Sequence, residues 1–309
     1  MTPAVPPQLV ACGSGRDFYR LTDKALEVFE VSKTIPPPQI RGSAAALQVA
    51  TLDVPLALNV VPLKKGVLVI GRKGLFRYEP GNRRALESAP IPTPAPLVAW
   101  SDPKRTGSFW VRVFGEANLH QYTLARAPKA TPDDSVQALP GFDGRLFTVL
   151  ADGVPLYSTA NGLVRPEGEA EATSAPKLPE PAKLIFSDVD RDRYWTADGQ
   201  GNLGLWDRKQ GSTPVFSARV PGAVIDVALE GGRVAVLSIE AREQAYRPTV
   251  TVFSDGKQAA QRRVSWTPGS SGQPQLDLCL IPGRPWVVVG GKRWLQLVDW
   301  QTPRLLSEW

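Results

Sequence analysis

Acid–base catalysis near neutral pH leans on histidine, and this chain of 309 residues has one, His120. A Ser-His-Asp or Cys-His system moves its proton through an imidazole steadied by a third group. His120 lies in the strand-like run LHQYTL with no spaced partner and reads as an ordinary strand residue. A single histidine also excludes metal sites built from several. Cys12 and Cys279 stand in no metal-ligand spacing and are too few for a disulfide scaffold, so they read as free thiols in a reducing, cytoplasmic compartment. The run Asp188-Val189-Asp190-Arg191-Asp192 starts like a calcium loop, but Arg193 and Gly199 occupy the positions such a loop gives to Gly and Glu. That run reads as a solvated turn. No GxGxxG follows a strand and no GxxxxGK[ST] occurs, so no nucleotide cradle is expected. The 30 acidic residues single out no pair for glycoside chemistry. No catalytic residue, metal ligand or cofactor is assigned.

The elements that would carry these residues are strands. Thirty Pro and 27 Gly recur between short apolar runs, where strand-to-strand turns want them. The chain repeats itself at a period near that of a four-stranded propeller blade. VIDVALEGGRVAVLS (Val224–Ser238) aligns with QLDLCLIPGRPWVVVG (Gln275–Gly290), setting Asp226 on Asp277, Leu229 on Leu280, Gly232 on Gly283, Arg233 on Arg284 and Val236 on Val287. LIFSDVDRDRYWT places Val189 under Leu229 and Arg193 under Arg233. Each unit continues into an alternating third strand: Leu26–Thr34, Gly74–Asn82, Asn202–Gly211, Thr249–Lys257 and Trp294–Thr302. The helix-like patterns of Lys24–Val31 and Ile239–Tyr246 fall inside this repeat and read as strand or loop. The expected fold is all-β, a single β-propeller of about seven four-stranded antiparallel blades. It forms one domain over residues 1–309, with blades near 7–53, 56–92, 96–140, 145–181, 182–221, 223–266 and 275–309. The Trp residues should mostly pack between blades.

YWTADGQGNLGLWD (Tyr194–Asp207) resembles the second and third strands of a WD-repeat blade, with Trp206 and Asp207 as its closing pair. Elsewhere that pair is Phe-Glu, Tyr-Glu, Phe-Ser or Val-Asp, and the family's Gly-His dipeptide is missing. The chain is therefore identified as a divergent WD40-like propeller. LVDWQTPRLLSEW at the other end is similar to a quinoprotein strand-turn-strand, with Pro303 where Gly would stand.

PQLVAC and PQLDLC place Cys12 and Cys279 at one inner-strand position of the first and last blades. Because neighbouring blades diverge, their Cα atoms should exceed the separation of about 4.4–6.8 Å that a disulfide needs, leaving both unbonded. Leu9-Val10-Ala11-Cys12 resembles a lipoprotein cleavage box but lacks the basic start and apolar run before it. No stretch approaches the ~20 apolar residues of a membrane helix, so no membrane role is expected.

The net charge of +6 falls short of a nucleic-acid-binding stripe. It is unevenly spread: residues 56–92 carry seven cations against two carboxylates, and residues 131–182 carry three against eight. In a propeller the turns joining second and third strands emerge on one face. Those turns bring Lys24, Arg72, Lys73, Lys292 and Arg293 from three neighbouring blades, with Arg242, Tyr246 and Arg247 from the sixth. The WD-like resemblance implies a non-enzymatic interaction module or scaffold subunit, and this positive arc would hold an acidic partner protein. The alternative is a propeller-type lyase or hydrolase with its site at the central channel; a nucleic-acid-binding ring ranks last. Heavy use of Ala, Pro and Arg fits a GC-rich bacterial source.

Overall fold

The computed structural model describes residues 8–13, 15–32, 45–54, 57–63, 66–71, 74–80, 87–89, 96–101, 108–113, 119–124, 130–137, 139, 142–150, 152–159, 162–164, 182–188, 193–207, 213–242, 245–264, 275–302 and 304–309. Among them there is no helix, and the strands form seven antiparallel sheets, each from one contiguous stretch of chain. The first blade holds β1 (Val10–Cys12), β2 (Asp17–Leu21), β3 (Ala25–Val31) and β4 (Ala46–Asp53). The second holds β5 (Ala57–Pro62), β6 (Val67–Gly71), β7 (Gly74–Tyr78) and β8 (Glu87–Ala89). The third holds β9 (Pro96–Ser101), β10 (Ser108–Val113), β11 (Leu119–Leu124) and β12 (Ala130–Gln137), and the fourth β13 (Phe142–Val149), β14 (Pro155–Thr159) and β15 (Gly162–Val164). The fifth holds β16 (Ala182–Asp188), β17 (Arg193–Asp198), β18 (Asn202–Asp207) and β19 (Phe216–Arg219). The sixth holds β20 (Ala223–Glu230), β21 (Arg233–Arg242), β22 (Ala245–Ser254) and β23 (Lys257–Arg263), and the last β24 (Asp277–Leu280), β25 (Trp286–Gly291), β26 (Trp294–Asp299) and β27 (Arg304–Glu308). The sheets have the arrangement of a β-propeller.

Two compact units divide the chain, one of residues 1–6 and 92–225, the other of 7–91 and 226–309. In the second unit, β24 packs beside both β21 and β1, and β1 packs beside β5, so its order is sixth, seventh, first, second blade. In the first unit β13 lies against β9 and β16.

Burial explains why these runs are strands. Second strands are apolar on both faces and buried along their length, as at Val67–Gly71 and Trp286–Gly291; the last sheet has the sixth blade on one side and the first on the other. The third strands, expected to alternate, are buried more evenly for the same reason: β26 shows one half-buried residue in six. Alternation survives on the fourth strands, as in β19, where one face meets solvent.

The core lies between blades. Val10, Phe18 and Phe29 of the first blade join Ile281, Trp286, Val288 and Leu297 of the last. Across the next seam Tyr19, Leu26 and Val28 meet Val60, Val69 and Tyr78. In the other unit Trp110 packs with Phe147 and Tyr157, and Trp206 with Ile185 and Tyr194.

The WD-like blade is built as its sequence implies. Trp206 is buried and its Nε1 donates to Thr196 Oγ1 at 2.8 Å, while Asp207 meets Arg193 Nε at 3.4 Å. Gly204 leaves room for the indole, since a Cβ there would stand 2.9 Å from Trp206 Nε1. Asp198 caps the preceding turn by accepting from the backbone N–H of Gln200 at 2.7 Å and of Asn202 at 2.9 Å. Gly201 supplies the positive φ of 87° in that turn, and a Cβ there would also collide with Val220 O at 2.3 Å.

At the last strand, Trp309 packs its half-buried ring against Phe18 and Phe29, with centroids at 5.9 and 5.0 Å. Trp309→Ala should destabilise the protein by roughly 2–3 kcal/mol, below the ~3–5 kcal/mol of a fully buried aromatic. Thermal unfolding checks this; an unchanged midpoint means that the ring carries none of the seam.

Candidate partner-binding face and the first-to-last seam

The turns of the first and last blades come together. The β2–β3 turn is shaped by Thr22, whose hydroxyl oxygen accepts from Ala25 N at 3.0 Å, leaving Asp23 and Lys24 exposed at its tip. The β25–β26 turn presents Lys292 and Arg293; at its start Gly291 passes so close to the neighbouring backbone that a Cβ would stand 2.4 Å from Gln275 O. Lys292 Nζ donates to the Asp23 carboxylate at 2.6 Å. That bond is the main influence holding Asp23 below the usual carboxylate range, and the charges of Lys292, Arg293 and Lys24 add to it. Three cations from two blades thus surround one carboxylate. Exposed ion pairs of this kind contribute about 0–1 kcal/mol, so the cluster is a charge feature more than a stabilising one.

Tyr246 and Arg247 lie on β22 opposite Ala241 and Glu240, Tyr246 exposed and Arg247 half-buried. Arg242 pairs through its backbone with Ala245, and Arg72 and Lys73 lie outside the described residues. Asp23 shares the Thr22-Asp23-Lys24 turn, and its place there is the signal in the sequence that a carboxylate joins the expected cations.

On the opposite edges of the sheets, the turns joining first and second strands tie the sixth blade to the seventh. Arg233 Nη1 donates to Arg284 O at 2.6 Å and the same guanidinium pairs with Glu230, which also accepts from Gly283 N at 3.3 Å. The aligned pair Arg233 and Arg284 is therefore one interblade contact.

Asp226 and Asp277, the two acids that mark the repeat, lie on adjacent inner strands, Asp226 half-buried and Asp277 buried. Asp226 Oδ2 accepts from Leu278 N at 2.8 Å, and Oδ1 from Val227 N at 2.8 Å. Asp277 does for the first blade what Asp226 does for the last: it accepts the backbone N–H groups of Leu9 and Val10. Asn59 Oδ1 accepts from Gln8 N at 2.9 Å on the other side of the first blade. Burial pushes both carboxyls up, Asp226 to about 6, and the charge of Asp226 raises Asp277 further. The sequence alignment found these two acids without indicating that they bind backbone.

The cysteines correct the expectation of two free thiols. Cys12 and Cys279 form a disulfide, with Cα atoms 5.6 Å apart. The expected divergence of neighbouring blades does not reach this level, because β1 and β24 pack directly beside one another. His120 lies on β11 opposite Val111 with its ring 6.3 Å from Tyr122, an ordinary strand position as expected. Of the Asp188–Asp192 run, residues 189–192 lie outside the described residues. Among the described residues no helix is long and apolar enough to cross a membrane.

No family model and no curated sequence matches the chain. Solved structures do. Kluyveromyces lactis Hsv2 is similar over 98% of both chains at 12% identity, with a TM-score of 0.59. The β-propeller domain of Myceliophteria thermophila Cps50 (Swd1) matches over 94% of both chains at 10% identity and a TM-score of 0.56. Citrobacter koseri AztD matches over 97% of this chain and 85% of its own at 11% identity, with a TM-score of 0.55. The fold is that of a β-propeller, with the sequence far diverged from these structures.

The buried acids set a pH dependence. A carboxyl raised in the fold binds its proton more tightly there than in the unfolded chain, so its contribution to stability is present below the ordinary Asp range and is lost as pH rises through the folded value. Chemical denaturation should therefore show the Asp226 contribution falling between about pH 4 and pH 6, with that of Asp277 extending the fall to higher pH. Asp226→Asn, which keeps an acceptor for Leu278 N–H and turns its amide nitrogen toward Val227 N–H, should remove the Asp226 part of that slope.

Proposed function

We propose that the protein is a non-enzymatic interaction module that holds an acidic partner protein on the face bearing the turns between second and third strands. The observation that carries this reading is the gathering of Lys24, Lys292 and Arg293, from blades at opposite ends of the sequence, around the single carboxylate of Asp23. A cluster with surplus positive charge, two of its three cations exposed, steers an acidic surface and fixes its register. Use of Asp226 and Asp277 as acceptors for backbone N–H groups supports a structural role for the acids most shifted by burial. Tyr246, exposed on the sixth blade, extends the face with an aromatic. A scaffold role in a bacterial assembly agrees with this reading. The disulfide favours an oxidising compartment over the cytosol as the place of work.

The test is the triple charge reversal Lys24→Glu, Lys292→Glu and Arg293→Glu, with the partner identified first by affinity capture from the native host. At low salt the variant should lose at least about tenfold in association rate, with an unchanged thermal midpoint. Equal binding by wild type and variant removes this face from the function. Capture of nucleic acid instead of protein, with a steep salt dependence, would replace the reading by a phosphate-binding one.

A further inference from the structure

The seam between the first and last blades differs from its neighbours in connectivity. Residues 264–276 join the sixth blade to the seventh and residues 54–56 the first to the second, so either pair, once parted, remains tethered. Across the first-to-last seam no such linker exists, and Cys12 and Cys279 are 267 residues apart. Among the described residues, no strand pairing crosses it. The hydrogen bonds that do cross it run through side chains: Asp277 to the N–H groups of Leu9 and Val10, Arg20 Nη1 to Trp309 O at 3.2 Å, Ala45 N to Ser307 Oγ at 3.3 Å and Lys292 to Asp23. Cys12–Cys279 is the covalent member of this set. It lies on the same two inner strands that Asp277 joins, with Cys12 half-buried and Cys279 buried.

We propose that Cys12–Cys279 is a redox-operated clasp: oxidised, it locks the first blade onto the last; reduced, it leaves a seam of side-chain bonds that opens locally while the other seams stay shut. Opening needs a dithiol reductant. One of its thiolates attacks a cysteine sulfur and the S–S bond breaks, the other cysteine leaving as a thiolate that takes up a proton. The second thiol of the reductant then displaces the mixed disulfide, so two electrons and two protons pass to Cys12 and Cys279 and the reductant leaves as a disulfide. Closure is the reverse, with an oxidised dithiol accepting the two electrons. This inference does not depend on the partner proposed above.

Three measurements on the full chain test it. Alkylation of the unreduced, denatured protein should label no cysteine; two labelled thiols overturn the clasp. Addition of dithiothreitol to the folded protein should lower the thermal midpoint by on the order of 10 °C. Reduction should also speed amide exchange at Leu9–Cys12 and Asp277–Leu280 at least tenfold more than at Ser108–Val113 of the other unit. Unchanged exchange at the seam overturns the proposal, and so does uniform acceleration throughout the chain, which would make the bond a global staple. The pair Cys12→Ser and Cys279→Ser should match reduced wild type and ignore reductant. Oxidised-like stability of that variant also overturns the clasp, and if it does not fold, wild type with and without dithiothreitol decides.

Discussion

Each blade is folded from one contiguous stretch of chain, so the first and last meet without sharing a strand, and the contact between them rests on side chains. Asp277 is central to that contact. It accepts the N–H groups that open β1, and its neighbour two residues on, Cys279, bonds β1 covalently. Around this inner point Phe18, Phe29 and Trp309 form an aromatic cluster, with Arg20 bridging Glu27 at 2.6 Å and the Trp309 backbone oxygen at 3.2 Å. The crosslink closes nearly the whole chain into a loop, and chain entropy alone assigns such a bond a stabilisation on the order of 5 kcal/mol.

The same solution recurs one blade earlier in milder form. Asp226 reaches the backbone of the last blade as Asp277 reaches that of the first, and the sixth and seventh blades are also tied by Glu230 and Arg233 at the turns of their opposite edges. Two buried carboxyls on adjacent strands disfavour ionising together, which is a standing cost at neutral pH. An apolar residue would leave the N–H groups of Leu278 and Leu9 without these acceptors in a buried setting, a loss of about 1–3 kcal/mol each. The acids are therefore retained as acceptors even though their charge is unwelcome.

Much of this was legible in the residues. The alignment of Asp226 with Asp277 marked structurally equivalent inner strands, and Tyr194–Asp207 marked two paired strands of the fifth blade, whose Trp206–Thr196 hydrogen bond the sequence did not indicate. Turn glycines and short apolar runs located the strands because two-sided burial demands apolar second strands. What escaped depends on distances that periodicity does not encode. The separation of β1 and β24 at Cys12 follows from how two sheets pack, and a rule about diverging blades gave the wrong answer at 5.6 Å. The arc of cations was read as an addition of charges, and the structure brings a carboxylate, Asp23, into its middle. Arg247 and Tyr246 share the hairpin side but sit on a ten-residue ladder whose length places them by its own register.

The cationic turns and the seam occupy the same two blades, and this couples stability to the proposed binding. Asp23 lies on the first blade and Lys292 on the last, so the spacing of the three cations is set by how those blades are held, not by either turn alone. The ion pair between them is too exposed to hold the blades by itself. Its geometry is inherited from the buried contacts beneath: the Asp277 acceptor, the disulfide and the aromatic cluster. A surface whose charges come from distant parts of the sequence exists as a surface only while the seam is shut, whereas a patch drawn from one hairpin would survive a local opening. Binding of an acidic partner across both turns would in turn favour the shut seam by mass action, since the partner contacts the two blades together only in that state.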